Sequence, residues 1–270
     1  MSYDTIKDRG LVLLGCGKMG GAMLQGWLAN DLPPSSVYVV DPFPADWLNS
    51  TGVHINAAVP TNPAVLVVAV KPQMMGDALP DVAALGGGET LVVSIAAGTT
   101  ISHFEDVFGP ETPIIRAMPN TPAAVGQGIT ALIGNDSSTA AQLDTAEALL
   151  AAVGKTVRLT SEDQMDAVTA VSGSGPAYVF HLIETMAAAG EAEGLPADLA
   201  MELALTTVAG AGALAEQSED TPTQLRINVT SPNGTTQAAL EVLMDETTGF
   251  PDVVTRGVAA AANRSRELGK

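Results

Sequence analysis

Six residues, Gly15-Cys16-Gly17-Lys18-Met19-Gly20, separate the apolar run Leu11-Val12-Leu13-Leu14 from a helix-forming stretch at residues 21–28. Glycines at the first, third and sixth positions have distinct physical uses. Gly15 allows a tight turn, Gly17 removes the Cβ that would block a pyrophosphate, and Gly20 lets the helix pack close to the strand. The first turn of the helix adds free N–H groups and a partial positive charge. The next chemical residue is Asp41, which ends the apolar run Val37-Tyr38-Val39-Val40. A carboxylate about twenty residues beyond such a turn accepts hydrogen bonds from ribose hydroxyls. Strand, glycine turn, helix and acid together predict a dinucleotide site using Leu14, Gly15, Cys16, Gly17, Lys18, Met19, Gly20, Asp41 and Pro42. Alone, Asp41 also reads as a turn acid before Pro42. Asp41 repels the extra phosphate of NADPH, and no Lys or Arg lies between Asp41 and Lys71 to offset it. The expected cofactor is NADH or NADPH, with Asp41 favouring NADH.

Other chemistries have less support. Cys16 is the one cysteine, so no intramolecular disulfide forms. With no histidine near it in sequence, it reads as a small residue facing the cofactor rather than a redox thiol. His54, His103 and His181 lack metal-ligand spacing, and no metal is expected. The formal charge of −18, from 12 basic and 30 acidic residues, argues against nucleic-acid binding. An anionic ligand must then be held by local donors, namely helix N-termini and a few cations. No run of about 18 uninterrupted apolar residues appears, and the polar, acid-bearing start at residues 1–8 resembles no secretory or transit signal. A cytoplasmic protein with no membrane span is expected.

The elements that must position these residues follow from periodicity. Val65-Leu66-Val67-Val68-Ala69-Val70 is a continuous β-branched run, as in a parallel strand covered on both faces, and it ends at Lys71-Pro72. Further strands are expected at 91–95, from 114, at 128–133 and at 156–159, with helices at 74–85 and 139–153 and a short helix capped by Thr99 or Thr100. This alternation predicts an α/β, doubly wound, mostly parallel Rossmann-like domain over residues 1–160. Residues 161–270 carry apolar residues at helical spacing in segments 163–171, 176–193, 196–217, 235–244 and 252–268, and read as all-α. The segment 196–217 is apolar nearly all round and needs a covering surface, which a partner subunit would supply. An all-α C-terminal dimerisation domain is therefore expected.

Four motifs recur in order: Ala69-Val70-Lys71-Pro72-Gln73, Met118-Pro119-Asn120-Thr121-Pro122, Ser172-Gly173-Ser174-Gly175-Pro176, and Ser231-Pro232-Asn233-Gly234-Thr235-Thr236. With the glycine turn they closely resemble the Δ1-pyrroline-5-carboxylate reductase family over nearly the whole chain. The family's usual glycine after Ser-Pro is Asn233 here, and Asn is the non-glycine residue that best tolerates positive φ. The resemblance implies reduction of 1-pyrroline-5-carboxylate to L-proline by hydride transfer from NAD(P)H, the last step of proline biosynthesis. It implies substrate contacts at Gly234, Thr235, Thr236, Glu162 and Glu219, with Thr236 catalytic, either as proton donor to the ring nitrogen or through positioning or a water relay. It places Ala69, Val70, Lys71, Pro72, Ala96, Ala97, Asn120, Asn56 and Asn228 at the cofactor. It suggests homodimers, with rings of dimers as a larger assembly, and leaves open whether a partner subunit supplies the substrate half. The rival readings are a related imine or β-hydroxyacid reductase and a non-catalytic NAD(H)-binding protein. A hydroxyacid enzyme of that build would need a lysine in the helical half, and none lies between Lys155 and Lys270.

Overall fold

A computed structural model describes residues 4–269; Met1, Ser2 and Tyr3 of the polar start, and Lys270, lie outside the described residues. Contacts divide the chain into one compact unit, which runs to Gly173 and resumes at Ala262, and a second unit, Ser174–Ala261. This division differs from the one expected at 160/161, because residues 162–173 pack with the first unit.

The first unit is built on an eight-stranded sheet. Its strands are β1 (Leu11–Leu14), β2 (Val37–Val40), β3 (His54–Ile55), β4 (Val65–Val68), β5 (Leu91–Ser94), β6 (Ile114–Met118), β7 (Gly128–Gly134) and β8 (Gly154–Arg158), in the order β3-β2-β1-β4-β5-β6-β7-β8. Every neighbouring pair is parallel except β6 and β7. β1, β4 and β5 are buried at every residue, because side chains alternate between two covered faces. Leu11, Leu13, Val65 and Val67 pack with Met23, Leu24, Trp27 and Leu149 on one face. Val12, Leu14, Leu66 and Val68 pack with Leu79, Phe104 and Phe108 on the other.

Helix α1 (Asp4–Arg9) precedes β1, and α2 (Lys18–Ala29) follows the glycine turn. Trp27 of α2 is fully buried and donates its indole N–H to the Leu149 carbonyl at 2.8 Å. α3 (Met75–Ala78) is a single turn flanked by 3-10 turns, where a continuous helix over 74–85 is expected from periodicity. Pro80 lacks the N–H that a continuous helix needs there. α4 (Ile101–Phe108) is capped by Thr100, and α5 (Ala140–Leu150) opens with a Thr139–Gln142 capping box. α6 (Met165–Val168) runs into a π-helical turn at Thr169–Gly173.

The second unit contains α7 (Gly175–Ala192), α8 (Ala197–Gln217), α9 (Pro222–Asn228), α10 (Thr235–Leu243) and most of α11 (Phe250–Leu268). Its helices are thinly covered in the single chain. α8 is long and apolar enough by composition to cross a membrane, yet only 11% of its most apolar window is buried. Leu203, Leu205 and Leu214 stand exposed on it. α1, α9 and the two-residue β3 have no counterpart in the periodicity, being short and largely polar or half-buried.

Candidate active site

The glycine turn behaves as its spacing predicts. Gly15 sits at φ +89°, and a Cβ there would lie 2.8 Å from Val70 Cγ1. A Cβ on Gly20 would lie 2.5 Å from the Gly15 carbonyl oxygen, so helix and turn approach closer than any side chain permits. Gly17 faces open space within 4 Å and forms the N-cap of α2 with no side-chain cap and no acid in the first turn. The N-terminus of α2 is therefore left for an external anion. A cleft of about 690 Å³ opens over it, lined by Gly15, Cys16, Gly17, Lys18, Asp41, Pro42, Ala69, Val70 and Lys71 among others.

Asp41 reaches this cleft from the tip of β2, with both carboxylate oxygens engaged. Oδ2 accepts the Cys16 backbone N–H at 2.7 Å, and Oδ1 accepts that of Phe43 at 2.8 Å. Asn56 holds the Asp41 backbone on both sides: its Oδ1 accepts the Asp41 N–H at 2.9 Å, and its Nδ2 donates to the Asp41 carbonyl at 2.8 Å. Asn56 takes φ +49°, a left-handed conformation that Asn tolerates. It therefore sets Asp41 in place instead of lining the cleft itself. Burial and then the Asp41 charge push the Cys16 thiol up to about 11, so it is a neutral thiol at neutral pH.

Other expected residues fall around this centre. Leu14 is buried beneath the turn, and Met19 packs against the core. Pro72 lines a smaller cavity with Gly98 and His103, beside the turn that carries Ala96 and Ala97. The Asn120 carboxamide is committed to the protein, with Oδ1 accepting the Ile129 N–H at 2.9 Å and Nδ2 donating to the Ser172 carbonyl at 3.1 Å. One oxygen of the Glu162 carboxylate is also engaged: Oε1 accepts from Arg116 at 2.6 Å and from the Ile101 N–H at 2.9 Å. It braces β6 against the start of α4, a job that the sequence did not disclose. Gly21, Ala22, Gln25, Phe43, Trp47 and Met74 also line the cleft and were missed by sequence reasoning. The Gly20-Gly21 pair carried a signal, since a Cβ on Gly21 would lie 3.3 Å from the Trp47 ring.

The remaining expected residues lie in the second unit. Asn233 takes φ +56°, as its substitution for glycine requires. Gly234 is the N-cap of α10, with no side-chain cap and no acid in the first turn. Thr235 is exposed and Thr236 half-buried, and neither hydroxyl has a partner among the described residues. The start of α10 thus repeats the physics of α2, with free N–H groups and a favourable dipole end. Glu219 is exposed just before α9. Asn228 closes that helix, donating to Asp220 at 3.2 Å and accepting from Gln224 at 2.8 Å. Among the described residues, no group of three or more His, Cys, Asp or Glu side chains is placed to hold a metal.

Comparison with known proteins bears on both units. Residues 162–268 match the family model for pyrroline-5-carboxylate reductase dimerisation, and residues 11–98 match that for coenzyme F420-dependent NADP oxidoreductase. The pyrroline-5-carboxylate reductase of Pseudomonas aeruginosa is 40% identical over 264 residues, covering 96% of each chain. That of Synechocystis is 42% identical over 267 residues, covering 96% of this chain and 98% of its own. The solved pyrroline-5-carboxylate reductase of Coxiella burnetii matches with a TM-score of 0.90 at 35% identity, covering 97% of this chain and 99% of its own. A Plasmodium falciparum pyrroline carboxylate reductase with NADP bound matches at 0.83 and 28%, covering 98% and 99%. With sequence identity of this order running through both units, the chain belongs to the pyrroline-5-carboxylate reductase family.

Proposed function

We propose that the chain reduces 1-pyrroline-5-carboxylate to L-proline with a reduced nicotinamide dinucleotide. The observation that carries this reading is the start of α10, an uncapped helix N-terminus with two unpartnered threonine hydroxyls behind Asn233-Gly234. Such a turn suits a small carboxylate, because the backbone N–H groups of Thr235 and Thr236 have no side-chain cap, Gln237 Oε1 taking only the Asn233 N–H at 2.8 Å. Family membership makes the substrate carboxylate the natural occupant.

The residues present fit a dinucleotide: open space at Gly17, free N–H groups at the start of α2, and a carboxylate at the tip of β2. The cofactor supplies the hydride. Lys18 and Lys71 line the same cleft and offset part of the chain's negative charge there. Thr236 is assigned to the ring nitrogen, where its hydroxyl orients the imine and passes a proton directly or through water. Ala96 and Ala97 serve the nicotinamide side, and exposed Glu219 favours the cationic imine. Asp41 selects NADH over NADPH, since a 2′-phosphate would meet its carboxylate.

We assign the chain to a cytoplasmic homodimer formed through the second unit, with rings of dimers as the larger assembly. The exposed Leu203, Leu205 and Leu214 of α8 and the dimerisation-model match support this. The test is an assay of purified protein with pyrroline-5-carboxylate, with NADH and NADPH in parallel, following loss of reduced-nicotinamide absorbance. Turnover with NADH above that with NADPH is expected. No loss with either would overturn the reaction, and faster turnover with NADPH would overturn the role of Asp41. Light scattering at a monomer mass would remove the homodimer.

A further inference from the structure

The last turn of α11 belongs to the first unit, where it lies on the segment that follows β5. Gly98, at φ +76°, is the point of contact: a Cβ built on it would sit 3.4 Å from Leu268 Cβ. A Cβ built on Gly269 would sit 3.2 Å from the Gly98 carbonyl oxygen. Ser265 anchors this turn. It is 6% exposed and donates from Oγ to Asp166 Oδ1 of α6 at 2.5 Å. The Arg266 guanidinium reaches the same carboxylate at 4.0 Å, and the Gly269 N–H closes back on the Ser265 carbonyl at 3.2 Å.

We propose that Ser265, Leu268 and Gly269 are positioning residues that hold the Ala96-Ala97-Gly98 turn in the shape that receives the nicotinamide half of the cofactor. The inference rests on the cofactor reading above. The sheet order supplies the direction of the argument. β2, with Asp41, lies on one side of the β1/β4 pair and β5 on the other. In a doubly wound sheet the dinucleotide crosses that switch point, one mononucleotide half to each side. The ribose acid marks the adenosine half, so the turn after β5 falls in the nicotinamide half. That turn has little to fix it from within: its own side-chain bond is the Ala96 N–H to Ser94 Oγ at 3.3 Å. A glycine at positive φ beside two alanines has many backbone states, and a packed neighbour removes them. The Leu268–Gly269 segment is that neighbour through the Leu268 Cβ and backbone, although Leu268 is 62% exposed, and the Ser265–Asp166 bond fixes its place.

Two ligands separate this role from general loosening of the protein. ADP, which carries only the adenosine and the pyrophosphate, occupies the half defined by the glycine turn and Asp41, whereas NADH spans both halves. Binding of each is measured by titration calorimetry on the wild type, on a chain lacking residues 268–270, and on the milder Ser265→Ala. Both variants are expected to bind NADH roughly tenfold more weakly and ADP within about twofold of wild type. Ser265→Thr, which keeps the hydroxyl, is expected to restore NADH binding. Unchanged NADH binding in both variants, or equal weakening of the two ligands, would overturn the proposal. A wild-type protein that binds neither ligand would overturn the cofactor reading together with it.

Discussion

Glu162 and Arg116 stand 46 residues apart in sequence, and Glu162 Oε1 lies 2.6 Å from an Arg116 guanidinium nitrogen. The Arg116 side chain is 7% exposed and that of Glu162 is 32% exposed. The same oxygen accepts the Ile101 N–H, so one carboxylate closes both a buried cation and a helix N-terminus. Removing it leaves the guanidinium buried without a counter-charge. Glu162→Ala is therefore expected to lose about 3 kcal/mol in urea unfolding. Glu162→Gln, which still offers an acceptor to Ile101, is expected to lose less. If Glu162 served the substrate alone, KM would rise with the unfolding midpoint unchanged.

Cys16 sits on the same strand-to-helix turn that Asp41 tethers. Burial, and then the Asp41 charge, raise its thiol from 9.0 to about 11. The thiolate fraction at pH 8 is then about one in a thousand, against about one in ten without the shift. Iodoacetamide labelling at pH 8 is expected to be slow, and faster in Asp41→Asn. The linked stability has a definite sign. The neutral thiol is favoured in the folded state, so its contribution is fully present below pH 9.0 and is lost as pH rises through about 11. Unfolding measured between pH 8 and 11 should show this loss, and Cys16→Ser should reduce it.

What was legible in the sequence was local. The glycine turn, the strand before it and the acid after it lie within about thirty residues, and each has one geometric use. Asn233 was legible for the same reason, since few residues accept its φ of +56°. The hydrogen bond from Cys16 to Asp41 spans 25 residues, and the one from Asn120 to Ser172 spans 52. Periodicity carries no information about such pairings, so Asp41 and Asn120 were assigned to the cofactor without these bonds to the protein being visible. The helix expected over 74–85 is interrupted around Pro80, because apolar spacing alone does not register the missing N–H. Trp47 was missed because no spacing rule ties a loop aromatic to a glycine helix. It lines the cleft because Gly21 leaves room for its ring.

The charge of −18 acts on the whole fold. With 30 acids against 12 bases, self-repulsion opposes the compact state at low ionic strength. Raising salt from 0.1 M to 1 M shortens the screening length from about 10 Å to about 3 Å. The melting temperature is expected to rise by roughly 5 °C or more over that range. The exposed Arg158 cluster with Asp144 and Glu147 would be weakened by the same screening. A fall in melting temperature with potassium chloride would show that such local pairs outweigh the net repulsion.

Thr235 and Thr236 separate binding from chemistry at the start of α10. Thr235 is exposed, Thr236 is half-buried, and both hydroxyls are unpartnered among the described residues. Neither substitution removes the backbone N–H groups on which carboxylate binding would rest. Thr235→Ala is expected to raise KM for pyrroline-5-carboxylate by a few fold with little change in kcat, the pattern of lost uniform binding. Thr236→Ala removes the hydroxyl assigned to the ring nitrogen, and kcat is expected to fall by about 10- to 100-fold with KM for the cofactor unchanged. Thr236→Ser keeps the hydroxyl and should recover most of that loss. Full turnover in Thr236→Ala would assign the proton to another donor and leave α10 with carboxylate binding alone.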